Sequence, residues 1–523
     1  MPAGDLVSIL LLISALGIYI HAVFLSMSLG LPWVIMALFY KWWRSHDEDY
    51  YRAARTVTGV LGLNFALGAI TGTLVEFGLV QGWPGSIFVI ATFAFAPLAL
   101  ELIAFVGEVV LLIMFIVTLR KVRPPVSICI MALYTMMAVL SGILITSVNS
   151  WLNVPWGTGG VASALYPFLP SYGPAVVNVQ ALVKLKVALV LAVLQSGSAS
   201  QLLQNPSVAK AIGLTLTDPF VAFTSPYALA SDLHNVNAGT IIGMSIALAC
   251  YAYRFYRTGD KKYVKLIRAF LPILLILLIL QPTVFGDMMG KAVATNQPTK
   301  FALMEGAENT TQNPLIALLA YGDPNHPLYG FDQFRTSCAS LKNETLGGLA
   351  SSIVPGLSAG PASSASLSTI CLSDLSKAEA RIAVINAAYY MKIASGVIAL
   401  LSLLGLAVSL FEIKGLSKLV NRLFARLGPE KTILLLSLVT LVGCMSAAGL
   451  GWFVRESGRK PWTVYGLVYP QEVITPVPIN PLVLAVFVFA FVAVAIVGIV
   501  GMYIVSTKSL RFAELLKKGA GVE

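Results

Sequence analysis

Long apolar runs alternate with short charged clusters along this chain. Nine runs are long enough to cross a ~30 Å hydrocarbon core, which takes roughly 20 residues each; they begin near Leu6, Val57, Ile87, Val126, Ala238, Ile267, Ile393, Thr432 and Leu482. Backbone polar groups in lipid must pair within their own segment, so each run reads as a helix. The predicted fold class is an all-α polytopic membrane helical bundle of about nine transmembrane helices. A further stretch, Pro174 to Leu194, is apolar but carries Lys184 and Lys186 in its middle. It reads as part of a long loop lying at the interface, with a half-inserted tenth segment as the alternative.

Loop charge orients the bundle. Lys41, Arg44, Arg52 and Arg55 follow the first run, and Arg120, Lys121 and Arg123 the third. Arg254, Arg257, Lys261, Lys262 and Lys265 follow the fifth, Lys414, Lys418, Arg422 and Arg426 the seventh, and Lys508, Arg511, Lys517 and Lys518 the ninth. All fall on one side, which the positive-inside rule assigns to the cytoplasm, so the N-terminus is expected outside. The chain then divides into 1–286, six helices with a long outer loop at 150–232; an outer loop, 287–384; and 385–523, the last three helices. A patch near the end of the second loop, LSAGPASSASLS, reads as flexible. No internal repeat is evident, which weakens a transporter built on inverted halves.

Composition agrees: 57% of residues are hydrophobic and 11% charged, against about 25% charged in soluble domains. The net charge of +11 sits in short loops, so it reads as an orientation signal and not as a nucleic-acid surface. The first run is too long, and lacks the basic flank, for a cleavable signal peptide. Five cysteines occur without a C-x-x-C-H string, which argues against covalent haem attachment. Cys129, Cys250 and Cys444 read as small core residues. Cys338 and Cys371 share the outer loop and are expected to form a disulfide, two free thiols being the alternative.

Ionisable groups inside apolar runs carry the chemistry. Of four histidines, His46 and His326 lie in polar loops, whereas His21 lies within the first run and His234 opens the fifth. Each of these two is either hydrogen-bonded to a neighbouring helix or an axial haem ligand. Glu101 and Glu108 are seven residues apart, nearly two helical turns, and so share a face. Such a pair is costly in lipid unless it meets protons, water or metal; a structural pair is the alternative. Glu76 lies near the outer end of its run, within reach of the interface. Gly68 and Gly72 allow a neighbouring backbone or a flat macrocycle to approach.

Several strings resemble subunit I of cytochrome bd quinol oxidases: GLNFALGAITGTLVEF, APLALE, NSWLNVP, GDMMGKAVATNQPTKFALMEG and GWFVRESGRKPW. They follow the family's order and cover most of the chain, although 156–223 is longer than usual and 312–383 has no counterpart among them. The resemblance implies the haem-bearing subunit of a quinol oxidase in the cell membrane, passing electrons from quinol to oxygen with charge separation. It implies low-spin haem b, a high-spin haem b and/or haem d, and a second membrane subunit as partner.

Residue by residue, the resemblance makes His21 a high-spin haem ligand and His234 one axial ligand of low-spin haem b. Glu101 and Glu108 match carboxylates of the high-spin pocket and proton path, and Lys300 and Glu305 a pair at the quinol site. Five residues give ~140° around a helix, so that pair is expected on an irregular backbone or in a pocket receiving one side chain from each side. Two departures stand out. The family's second low-spin ligand is a methionine in an F-R-I-M string, whereas this chain reads Tyr389-Tyr390-Met391-Lys392. Met391 is the expected ligand if its helix is bulged or begins differently; otherwise the iron is five-coordinate or Lys392 takes over. A family glutamate is replaced by Gly449, so either one haem is absent or Glu108 serves there. The alternatives are a bd-like electron-transfer subunit with fewer haems or another acceptor, and a proton-coupled transporter.

Overall fold

Among the described residues of the computed structural model, nine helices are long and apolar enough to cross a membrane. The structure describes residues 3–519 apart from 197–219, 358–359, 361–362, 414, 418–421, 423, 425 and 476–479. Lys414, Lys418 and the middle of the 156–223 region therefore lie outside the described residues.

The first helices are α1 (Ala3–Ser45), α2 (Glu48–Gly82), α3 (Pro84–Phe93), α4 (Phe95–Thr118) and α5 (Pro124–Asn153). The apolar run expected to begin near Ile87 is thus two helices, α3 and the spanning α4, with Ala94 non-helical between them. Pro97 explains the break, because its ring crowds the carbonyl four residues back, at Phe93. After α6 (Val161–Leu165) and α7 (Val179–Ser196) come α8 (Pro226–Thr258) and α9 (Lys262–Leu280). A π-helical turn, Gln281–Gly286, joins α9 to α10 (Asp287–Asn296). The sixth span therefore runs on to Asn296, past the expected loop boundary at Asp287. Pro282 supplies no N–H, and the turn widens there.

Short helices build a cap on one face of the bundle: α11 (Pro298–Glu305), α12 (Pro314–Tyr321), α13 (Phe331–Ala339), α14 (Leu346–Ile353) and α15 (Leu367–Glu379). Two spans follow, α16 (Ile382–Leu410) and α17 (Gly428–Ser457), then α18 (Pro470–Val473) in the cap and the spanning α19 (Pro481–Gly519). The strands β1 (Thr158–Gly159) and β2 (Tyr172–Ala175) pair antiparallel in the cap.

The bundle packs around α1, which lies against α2, α5 and α8. Glycine permits the closest crossing: a Cβ on Gly30 would fall 2.5 Å from the Thr240 carbonyl oxygen of α8. One apolar core fills this layer, with Phe39, Tyr134, Phe270 and Leu274 fully buried, and a second fills the cap around Trp151, Tyr172, Phe331 and Trp462.

Three chain segments meet in the cap through one carboxylate. Tyr166 donates to Asp374 Oδ2 at 2.7 Å, Tyr469 donates to the same oxygen, and Trp462 Nε1 donates to Tyr166 at 3.1 Å. The α7 stretch is a cap helix and not a tenth span. Its Lys186 is buried against Glu472 of α18 at 3.1 Å and lies 4.3 Å from the Tyr469 ring centroid. The Ser/Gly/Pro/Ala patch is pinned where it is described, since Gly347 and Leu346 donate to the Ser363 and Ala365 carbonyls at 3.1 and 2.9 Å. Cys338 and Cys371 form the expected disulfide between α13 and α15, with Cα atoms 5.5 Å apart and the two residues 33 positions apart in sequence.

Closing a loop of that length constrains the unfolded chain by about 3–4 kcal/mol in the entropic account. Cys338→Ser is therefore expected to expose the 307–381 segment to limited proteolysis while the spanning helices stay protected. Cleavage at the wild-type rate would contradict this.

Candidate functional site

The two histidines flagged in the apolar runs are each held by a hydrogen-bonding partner. His21 of α1 places Nδ1 3.0 Å from the Thr71 hydroxyl of α2. That hydroxyl also lies 3.0 Å from the Gly68 carbonyl and 3.1 Å from that of Leu67. A carbonyl can only accept, so the single hydroxyl proton is committed there and His21 Nδ1 is the donor toward Thr71. In the tautomer with the proton on Nδ1, the Nε2 lone pair is left for a metal. Gly72 makes the approach possible, because a Cβ there would stand 3.1 Å from His21 Cε1.

His234 of α8 faces the π-helical turn. The Gln281 amide nitrogen lies 3.3 and 3.4 Å from the two ring nitrogens and donates to the His234 carbonyl at 3.1 Å. Asn237, one turn along α8, donates to Gln281 Oε1 at 2.7 Å and to the Leu277 carbonyl at 3.1 Å. Gln281 was invisible as a site residue in the sequence; its signal is a polar residue before a proline at the end of an apolar run.

The carboxylates of α4 face α5 together. Ser141 donates to Glu101 at 2.9 Å, and Glu108, buried, has Glu101, Ser141 and Tyr134 as polar neighbours. Glu108 is not among the neighbours of position 449. Within 4 Å of a Cβ built on Gly449 the neighbour is Tyr19 of α1, whose hydroxyl donates to the Gly449 carbonyl at 3.0 Å.

The backbone carrying Lys300 and Glu305 is not irregular, as one expectation had it. α11 is a regular helix from Pro298 to Glu305, so the ~140° between them sends the side chains to different partners. Lys300, 1% exposed, points inward and donates to Asn153 Oδ1 at 2.7 Å and Gln297 Oε1 at 2.8 Å. Burial, aided by Arg455 and Arg459, holds its amine well below the usual lysine range. Glu305 is turned toward α16, where Tyr390 donates to it at 3.0 Å, and burial raises its carboxyl above the ordinary value.

Met391 also departs. α16 is helical without interruption through 382–410, so nothing offsets the one-residue displacement, and Met391 faces outward, 59% exposed. Its neighbour Lys392 is the residue turned inward, with Cε 3.7 Å from a Cβ built on Gly451.

Under the cap, a buried polar cluster joins these parts. Arg455 of α17 donates to Asn149 Oδ1 at 2.6 Å, Ser231 at 2.5 Å and Ser150 at 3.2 Å. Ser147 and Ser150 donate to Asp232 at 2.5 and 3.0 Å. Arg459 pairs with Glu456 at 2.5 Å. Lys460 beside them is pushed down to about 7, chiefly by burial and then by Arg459. None of these residues except through its motif was singled out by sequence, because arginines near helix ends ordinarily read as solvated.

Nine spans among the described residues, imidazoles on two packed helices, carboxylates within the bundle and a folded polar cap define a polytopic membrane protein with ionisable groups placed inside its spans. A model of the cytochrome bd terminal oxidase subunit I family matches residues 12–511. The chain belongs to that family and is a multi-pass cell-membrane subunit of a quinol oxidase. It is 22% identical over 494 residues to the putative cytochrome bd menaquinol oxidase subunit I of Bacillus subtilis, covering 92% of each chain. It is 23% identical over 296 residues to the cytochrome bd-II ubiquinol oxidase subunit 1 of Escherichia coli, a match covering 56% of this chain and 48% of that one. The bd oxidase structure from Geobacillus thermodenitrificans superposes with a TM-score of 0.68 at 17% identity, covering 97% of this chain and 99% of that one.

The Lys300 result has a sign that can be measured. Between its lowered folded-state value and the ordinary lysine range, the unfolded chain carries a proton on this amine that the folded protein does not hold, so folding releases it and stability rises with pH across that window. Wild type is therefore expected to gain in melting temperature on Lys300→Met as pH climbs toward the ordinary lysine range. A gap that stays constant, or narrows in favour of the variant, would contradict a depressed amine.

Proposed function

We propose that this chain carries electrons from quinol, oxidised under the cap, through haem at His234 to high-spin haem at His21, where oxygen is reduced. The observation that carries the reading is His21, whose Nδ1 is held by Thr71 so that Nε2 is free. The residues fit the group: each imidazole is neutral-nitrogen chemistry held by a partner, within an apolar bundle. Haem, when bound, supplies one-electron carriage at one site and oxygen reduction at the other. The low-spin group is read as haem b, and the high-spin group as haem b and/or haem d.

The chain's own residues handle protons and position. Quinol gives up two protons with its two electrons, and Glu305, raised by burial, is suited to accept one. Tyr390 orients its carboxylate from α16. Lys300 acts through Asn153 and Gln297, fixing the α5–α11 junction beside the quinol. On the other side, Glu108 and Glu101 deliver protons toward the high-spin site along α4, with Ser141 holding Glu101. The cap is read as facing outward, because the basic loops lie on the opposite face. Protons released outside and consumed from inside then separate charge without a pump. A second membrane subunit completes the complex.

A specific observation favours the runner-up, in which one haem is missing: Gly449 offers no side chain, and Tyr19 donates to its carbonyl. The scaffold and quinol chemistry are the same in both readings. Glu305→Gln separates the quinol site from the rest. It is expected to lower quinol turnover by roughly 10²-fold while leaving the reduced low-spin haem spectrum unchanged. Turnover at the wild-type level would remove quinol oxidation from Glu305.

A further inference from the structure

One cap helix presents an apolar face left uncovered among the described residues. α12 carries Leu315, Leu318 and Leu319 on one stripe, at helical spacings of three and four. They are 66%, 48% and 59% exposed, while Ala317 and Ala320 on the other side are buried. The stripe is held in place. Asn313 caps the helix by accepting from the Ile316 N–H at 3.3 Å, and Gly322 ends it in the left-handed region at φ 74°. Thr311 and Leu328, on either side, exchange backbone hydrogen bonds of 3.0 and 2.9 Å that close the loop at its base. α12 packs against α10, the cap-side end of the sixth span.

Two neighbours fix its depth. α16 ends at Leu410 on the side of the basic loops, and about 20 residues cross the hydrocarbon core, so the opposite edge of the core falls near Tyr390. Tyr390 donates to Glu305 at 3.0 Å, which sets the end of α11 at that level. Phe301 lies one turn before Glu305 on the same side of α11, and Tyr321 of α12 packs edge-on against it with centroids 5.8 Å apart. α12 is therefore at the boundary where acyl chains give way to headgroups. Its surroundings agree. His326 stacks on Tyr321 at 3.8 Å and meets Tyr329 edge-on at 5.7 Å, and aromatic rings with a polar edge collect at this boundary. From Gly306 to Phe331 the chain has no Lys or Arg, and only Glu308 and Asp323 are acidic. Apolar burial, and not charge, is what this face offers.

We propose that α12 is an interfacial helix whose Leu315, Leu318 and Leu319 lie among the acyl chains of the cap-side leaflet, and that it forms the lip over which lipid-dissolved quinol reaches Glu305. Quinol held in the leaflet must bring its polar head out of the acyl chains to meet a carboxylate under the cap. A helix seated at that boundary, with its apolar face in lipid, places the exit beside the carboxylate. The lip rests on the reading of Glu305 as the quinol's proton acceptor; the depth of α12 does not.

The test uses the purified complex in phosphatidylcholine vesicles. A nitroxide is attached at Leu318→Cys, with the free cysteines Cys129, Cys250 and Cys444 replaced by serine, and its relaxation by oxygen and by a water-soluble nickel chelate is measured. Strong relaxation by oxygen and weak relaxation by nickel is expected. Strong relaxation by nickel would put α12 in water, and an immobilised label closed to both would put another protein over it; either overturns the proposal. The lip is read separately in Leu315→Asn/Leu319→Asn. The KM for a long-tailed quinol in vesicles is expected to rise several-fold, with the KM for a tail-less, water-soluble quinol and the haem spectrum unmoved. No rise, or an equal rise for both quinols, would overturn the lip. Glu305→Gln with wild-type turnover fails differently: it removes quinol from Glu305 and the lip with it, while the label still reports the depth of α12.

Discussion

The arrangement depends on one buried guanidinium. Arg455 reaches from the end of α17 to the facing ends of α5 and α8, where it donates to Asn149, Ser150 and Ser231. Ser150 and Ser147 turn the same network onto Asp232, two residues before His234. The register of His234 against its surroundings is thus set by polar contacts that cannot slide, as apolar ridges in lipid can. Removing the guanidinium would strand several buried acceptors and a carboxylate, a loss on the order of 3–5 kcal/mol. The same α17 end carries Glu456 and Arg459, so the histidine, the Lys300 junction and the cap rest on one cluster.

The cap is ordered for a related reason. Its loops have little sheet or long helix of their own, and they are joined by groups that lose much if water replaces them. Asp374 receives two tyrosine hydroxyls, and Lys186 meets Glu472 in an almost fully buried pair. A disulfide ties α13 to α15. A cap closed in this way holds Glu305 and Lys300 at fixed but different depths. Glu305 lies at the α16 edge beside Tyr390, and Lys300 is withdrawn into the protein.

Much of this was legible in the chain itself. Hydropathy and length sufficed for nine spans, because a membrane helix must satisfy its own backbone, and the paired cysteines shared one segment. Periodicity served well where a helix is regular: Glu101 and Glu108 do face α5 together. The same rule separates Lys300 from Glu305 and Met391 from Lys392. What could not be read were partners distant in sequence. Thr71, Gln281 and Arg455 matter through contacts across 44 to 306 positions, and no local pattern marks them. The break at Ala94 and the π-helical turn at Gln281 were signalled by Pro97 and Pro282, but apolar continuity concealed both.

The central claim is that electrons cross this bundle on haem held at His21 and His234. The most direct measurement is haem content with the reduced-minus-oxidised visible spectrum of the purified complex, for wild type, His21→Ala and His234→Ala. The account predicts that wild type holds both kinds of haem, that His234→Ala selectively loses the low-spin bands, and that His21→Ala selectively loses the high-spin component. Haem-free wild-type protein, or spectra unaltered by both substitutions, would contradict it.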